Sequence, residues 1–389
     1  MILRVFFYLL IFCIVVPALA FSQQAYNIAD TLQQLRQVEI EEDNEVPAAA
    51  IPLLTRLKHD LVALFQQVLN EGGPGAQASA AHEELLRRLH AANIQLKDWD
   101  DWIARPIYGF IHQLDVTQPS GHPDLMVFRS AIFIQCDDDS SIYVFQKRKG
   151  HWDMVIAVES NGYKQISGGL GELLYQVSPP DADGRWFLVY AYVNPWCTSN
   201  WQTIYFRVLR PGATPKKPVV VLSRKEEIFR EAGATLEAAR DSFRLDFDAG
   251  QELDAGVLIR THVARYRIAG NRATRIPPLA GSAAGFLDEW SHMPWRKAAR
   301  WSRIPKFPRA GHHMLGSTSL YHEFDFDQPC PGGNKWQIGV KVSKLDESDL
   351  MLGTLIATVV KEGESYFITQ LGHKRPDGCP GNRQAWGDE

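Results

Sequence analysis

The sequence predicts a mainly β protein of α+β class. Three observations carry this: apolar residues at helical spacing near the start, a long central stretch in which they alternate, and a second alternating stretch behind an aromatic helix. The expected layout is an N-terminal helical hairpin, an antiparallel middle region (a sandwich, barrel or propeller-like), and a C-terminal four-stranded antiparallel sheet.

Residues 1–20 read as a secretory signal peptide. Arg4 supplies the basic start, Val5 to Val16 is unbroken apolar sequence, and Ala18-Leu19-Ala20 forms an A-x-A cleavage site before Phe21. The apolar run is shorter than the ~20 residues of a spanning helix, so cleavage is expected and retention as an anchor is the alternative. Cys13 lies among bulky residues without a lipobox, which argues against a lipid anchor. No later segment is long and apolar enough to span, so no transmembrane segment is expected after cleavage, with a periplasmic or extracellular destination.

Residues 21–105 form the expected helical region. Leu53, Leu54, Leu57, Leu61, Leu64, Phe65 and Val68 recur at three- and four-residue steps behind Pro52. Gly72, Gly73, Pro74 and Gly75 stop that helix, and Leu85, Leu86, Leu89 and Ile94 begin the second arm of a hairpin. Ile28, Leu32 and Leu35 suggest a weaker helix before both, trailing into the acidic run Glu39 to Glu45, which reads as a solvated linker.

Residues 106–280 form the expected antiparallel β region. Ile132 and Ile134 lead into Asp137, Asp138, Asp139, Ser140 and Ser141, read as a polar turn, and Tyr143 and Phe145 resume the alternation. Trp152, Met154, Ile156 and Val158 are expected on one strand face. Further strands are expected at Leu173–Val177, Trp186–Val193, Gln202–Leu209, Val219–Leu222, Phe243–Phe247 and Val257–Ile268. Turn residues rather than helices separate them, which means antiparallel pairing. No clean internal repeat points to a propeller over the other two forms.

Residues 281–310 are an aromatic helix and linker, with Phe286, Trp290, Trp295 and Trp301 interrupted at Pro294. Residues 311–389 return to alternation, in which His322 faces inward with Phe324 while Glu323, Asp325 and Asp327 share a solvated face near Lys341.

Of five cysteines, four follow the signal segment, and an even number in an exported chain suggests disulfides. The sequence-local pairing, Cys136 with Cys197 and Cys330 with Cys379, keeps each bridge inside one region. Phosphate-loop, nucleophile-elbow and zinc-helix motifs are missing: Leu86 stands where His82 and Glu83 would need a second histidine. His312, His313, His322 and Glu323 are the densest group of ligating types, but strand alternation separates His322 from Glu323. No metal and no cofactor are therefore expected. A formal net charge of −4 gives no reason to expect nucleic acid. The basic run Arg296 to Arg309 reads as a solvated helix face and linker.

The most unusual segment is Asn194 to Trp201. Trp196, Thr198, Ser199, Asn200 and Trp201 are the candidate ligand-binding residues, because indole rings supply apolar contact while neighbouring hydroxyl and amide groups fix orientation. The competing role is a tryptophan plug at the end of a β core. The function these features favour is a noncatalytic protein that binds a carbohydrate, a peptide or an envelope component. The alternatives are an extracytoplasmic hydrolase whose site is assembled from distant strands, and a structural envelope protein. A His–carboxylate pair in a cleft marks the hydrolase; an open aromatic surface without perturbed titratable groups marks the binder.

Overall fold

A computed structural model describes residues 24–39, 46–97, 108–134, 137–160, 163, 169–194, 201–229, 233–253, 256–304, 308–316, 320–344, 351–375 and 377–379. The class is as expected, mainly β with helices. Four antiparallel sheets of four strands each follow one another, every one a meander with its strands in chain order. The chain divides into two compact units, Met1–Ser199 with Thr203–Lys225, and Asn200–Gln202 with Glu226–Glu389. Among the described residues no helix is long and apolar enough to cross a membrane.

In the first unit, helices α1 (24–35), α2 (Ala50–Glu71) and α3 (Ala78–Ala91) precede sheet 1. Sheet 1 comprises β1 (Ile111–Thr117), β2 (Leu125–Ile134), β3 (Asp137–Arg148) and β4 (His151–Val158). Sheet 2 comprises β5 (Leu173–Val177), β6 (Leu188–Val193), β7 (Trp201–Thr214) and β8 (Lys217–Phe229). The division between units falls within β7 and β8. Ile28, Leu32 and Leu35 of α1 and the expected leucine stripe of α2 pack on Phe128, Ile132, Tyr143 and Phe145 of sheet 1. Val127, Ile142 and Val144 point through the opposite face, onto Leu188, Tyr190 and Leu209 of sheet 2. Helices, sheet 1 and sheet 2 therefore stack as three layers, with two cores separated by one sheet.

Two readings of this region need correction. Asp137 to Ser141 are not a turn: β3 begins at Asp137, and Asp138, Asp139, Ser140 and Ser141 are buried. An acidic strand end is tolerated because basic partners meet it on both faces, as described below. Trp152, Met154, Ile156 and Val158 do not share one face either. The register with β3 shifts between Val144 and Phe145, passing over Val155. That bulge turns Trp152 and Met154 toward the helices and Ile156 and Val158 toward sheet 2.

In the second unit, sheet 3 comprises β9 (Ala234–Ala239), β10 (Ser242–Leu253), β11 (Gly256–Ala269) and β12 (Arg272–Arg275). The aromatic segment forms α4 (Ala283–His292), breaks at Pro294, and resumes as the short α5 (Trp295–Ala298). Helix α6 (Pro308–Leu315) follows. Sheet 4 comprises β13 (Leu320–Pro329), β14 (Lys335–Lys344), β15 (Met351–Glu362) and β16 (Ser365–Gly372). Its apolar face, with Ile338, Val340, Ala357 and Ile368, packs on Phe286, Leu287 and Trp290 of α4. On its other side α4 meets β11 backbone to backbone: a Cβ on Gly285 would lie 2.4 Å from the Thr261 carbonyl oxygen.

The alternation expected of β13 also fails. Its register shifts between Phe324 and Phe326, so Glu323 pairs with Lys341 as expected, but Asp327 falls opposite the core residue Ile338. Asp327 is thus drawn off the solvated face, and burial pushes its carboxyl up to about 6 although the Ala284 N–H lowers it. A disulfide joins Cys330 to Cys379, as expected.

Candidate functional site

Adjacent residues of a strand point to opposite faces, and at the start of β3 this splits two carboxylates between two settings. Asp139 pairs in register with Ile132 and faces the helices. There it meets Lys58, which stands inside the apolar stripe of α2, four residues after Leu54 and three before Leu61. Lys58 Nζ donates to Asp139 Oδ2 at 2.8 Å, to Ser160 Oγ at 2.8 Å and to the Tyr163 hydroxyl at 2.9 Å, so all three ammonium hydrogens have acceptors. Asp139 in turn accepts from Tyr163, from Ser160 at 3.1 Å and from the Leu170 N–H at 3.4 Å. Burial and the neighbouring Asp139 charge raise the Tyr163 phenol well above its ordinary range, which keeps it a neutral donor. Lys58 and Asp139 are both fully buried, and this closed arrangement pins α2 to sheet 1.

Asp138 faces the other way, toward sheet 2, opposite Phe133. On β1 the register shifts between Ile111 and Gln113, leaving His112 at a bulge that re-aims its ring. The imidazole stacks on Phe133 with centroids 4.6 Å apart, and Nδ1 donates to Asp138 Oδ2 at 2.6 Å. The His112 side chain is 27% exposed and that of Asp138 10%, so the pair sits at a solvent boundary. Burial raises the Asp138 carboxyl above its ordinary range, against the lowering effects of His112 and Arg129.

Around this pair the space between the two sheets becomes polar and aromatic. Arg129 lies on the same face of sheet 1, opposite Asp115 in register. Across from it stand Tyr175, whose hydroxyl lies 3.2 Å from Thr117 Oγ1, and its register partner Tyr190. Tyr190 pairs in turn with Arg207, and Tyr192 stacks on Tyr205 at 5.1 Å. Burial raises the phenols of Tyr175 and Tyr190, the latter to about 12, so both remain neutral hydroxyls at ordinary pH. Tyr175, Tyr205, Arg129 and Arg207 are only partly buried. This polar seam can offer ring faces, hydroxyls, a carboxylate and guanidinium donors to a bound molecule.

The sequence-derived candidates Trp196, Thr198, Ser199 and Asn200 lie outside the described residues, as do Cys136 and Cys197 and hence their proposed bridge. Trp201 opens β7, and its side chain is outside the description too. The chain leads into that segment from Val193, at one end of the seam. A Cβ on Gly171 would lie 2.6 Å from the Val193 carbonyl oxygen and 2.9 Å from Asp137 Oδ2, so only glycine allows this strand end to close on β3.

The second unit holds a further charged group. Asp288 and Glu289 of α4 flank His262 of β11, with Asp288 Oδ2 3.2 Å from Nε2 and Glu289 Oε1 3.7 Å from Nδ1. Arg260 meets Asp288 at 2.6 Å and Arg275 meets Glu289 at 2.8 Å. Burial works against the His262 cation, but Asp288 and Glu289 outweigh it and hold the pKa at about 9. With His262 protonated, three cations meet two carboxylates, and the group joins α4 to sheet 3. His312 is likewise committed, its Nε2 donating to the Trp290 carbonyl at 2.9 Å. Among the described residues no three His, Cys, Asp or Glu side chains gather as a metal site would require.

No family model and no curated protein matches the chain. Among solved structures, a thermostable family-43 glycoside hydrolase is similar at TM-score 0.22 and 9% identity, over 70% of this chain and 79% of that one. A family-43 β-1,3-galactosidase with galactodeoxynojirimycin gives TM-score 0.22 and 9% identity over 67% and 75%. An Ntf2-like protein involved in plasmid conjugation gives 0.16 and 7% over 81% and 97%. Likeness at this level establishes neither a shared fold nor a shared activity.

Proposed function

We propose that this is an exported carbohydrate-binding protein whose ligand enters the polar seam between sheets 1 and 2. The carrying observation is the convergence there of partly buried tyrosine rings with hydrogen-bonding groups of both signs, His112–Asp138 and Arg129. Sugars present apolar ring faces edged by hydroxyls, and aromatic rings beside charged acceptors and donors match that pattern. The end of β6 beside Gly171 supports counting Trp196 and Trp201 among the contacts, because the chain runs from there into their segment. It also supports the bridge between Cys136 and Cys197: Asp137, next to one cysteine, and Val193, four residues before the other, flank the same glycine.

The mature chain, beginning at Phe21, is the form to test. A screen against neutral and acidic oligosaccharides should yield binding that Tyr205→Ala and Trp196→Ala weaken at least tenfold, with the melting temperature nearly unchanged. Absence of any glycan binding refutes the proposal. N-terminal sequencing of exported protein should begin at Phe21; retention of Met1 would favour an anchor.

The His112–Asp138 pair favours a second reading, hydrolysis. A carboxylate paired with an imidazole through Nδ1 is the arrangement in which a histidine serves as a general base. Release of reducing ends from a bound oligosaccharide, lost in His112→Ala, would establish this reading over simple binding.

A further inference from the structure

We propose that Arg129 anchors a carboxylate on the ligand, so that the carbohydrate bound in the seam is an acidic one built of hexuronic acid units. This rests on the carbohydrate reading above and adds the chemical class. Arg129 Nε is shut off from solvent and has no hydrogen-bond acceptor, and no ion pair engages its guanidinium among the described residues. A guanidinium has five donors and cannot shed its charge, so an unmet donor in a secluded position calls for an acceptor from outside the protein.

The neighbouring carboxylates do not supply it. Asp115 is the register partner of Arg129 across β1 and β2, yet among the described residues no ion pair joins the two. Asp138 feels the Arg129 charge, but its carboxylate is engaged by His112 at 2.6 Å. Tyr175, its hydroxyl 3.2 Å from Thr117 Oγ1, lines the same inter-sheet space. A planar carboxylate matches the guanidinium fork through two parallel hydrogen bonds. A doubly charged phosphate suits the seam less well, because Asp115 and Asp138 already bring negative charge to it.

The test is calorimetric titration of the mature protein with a hexuronic-acid tetrasaccharide, its methyl ester, a neutral hexose tetrasaccharide and a sulfated one. The acid should bind at least tenfold more tightly than its ester, and rising salt should shrink that gap. Arg129→Leu should erase the preference while leaving ester binding in place. Arg129→Lys, which retains charge and fold but not the fork, should reduce it. Equal binding of acid and ester by the wild-type protein overturns the carboxylate anchor and leaves the carbohydrate reading standing. Tighter binding of the sulfated sugar overturns the choice of carboxylate. Failure of all four to bind overturns the carbohydrate reading itself.

Discussion

Replacing Lys58 with alanine tests the first unit at its most constrained point. The ammonium has three hydrogen bonds of 2.8 to 2.9 Å, and its side chain and that of Asp139 are 2% and 0% exposed. Removing one member of a buried pair typically costs about 3–5 kcal/mol, because the other charge is left uncompensated. Asp139 would retain Tyr163, Ser160 and the Leu170 N–H, which places the expected loss near the lower end, about 3 kcal/mol. For a unit of this size that is a fall of roughly 6–12 °C in melting temperature. The assay is urea unfolding of Lys58→Ala, Asp139→Leu and Lys58→Met/Asp139→Leu beside the parent. The double variant should lose less than the two single variants together, since an apolar pair removes both charges at once. A loss below about 1 kcal/mol in Lys58→Ala, or strict additivity, would refute the assignment of Lys58 and Asp139 as a coupled pair.

Three further outcomes are expected in the second unit. The His262 pKa is raised to about 9 from an ordinary 6.5, so the folded state holds the extra proton between those values. Its stabilisation is complete below pH 6.5 and is lost as the pH rises through 9, on the order of 3 kcal/mol, and His262→Gln should flatten unfolding curves over that window. The Asp327 carboxyl is raised from 3.8 to about 6, so the cost of burying its charge builds as the pH rises from 3.8 and is complete above about 6. Asp327→Asn should therefore raise stability at pH 7 by about 2 kcal/mol and make little difference at pH 3, as read from denaturant midpoints. Cys330 and Cys379 close a loop across 49 positions. Cys379→Ser should cost about 4 kcal/mol, and nonreducing peptide mapping should recover the bridge.

How much of this was legible follows from which patterns a single chain displays. Helix α2 and most meander strands were readable because their apolar residues repeat at 3.6 or 2, and the four-stranded tail with its aromatic helix followed from the same periods, whereas β1, β9 and β12 were not expected. The bulges at His112, Val155 and the Phe324–Phe326 step were not, because one extra residue in a strand is set by its partner's register and leaves no mark in its own sequence. Two of the three moved a functional or titratable group: one turned His112 onto Phe133, and another drew Asp327 off the solvated face. The Asp137 to Ser141 run illustrates a second barrier. Acidic and hydroxyl residues in sequence have the composition of a turn, and only the arrival of Lys58 on one face and His112 on the other makes them a strand. One trace of this was present in the chain: a lysine inside the leucine stripe of α2 has no solvent to reach and therefore requires a buried anion. The nearest consecutive carboxylates in the β region were at Asp137 to Asp139, so the misplaced lysine and the misread turn explain each other. Seam residues such as Arg129, Tyr175 and Tyr190 carried no such trace, because a polar or aromatic residue among apolar ones does not say which neighbour it will meet. Their meaning arises only where two sheets face one another, which is why the candidate site emerges from packing rather than from spacing.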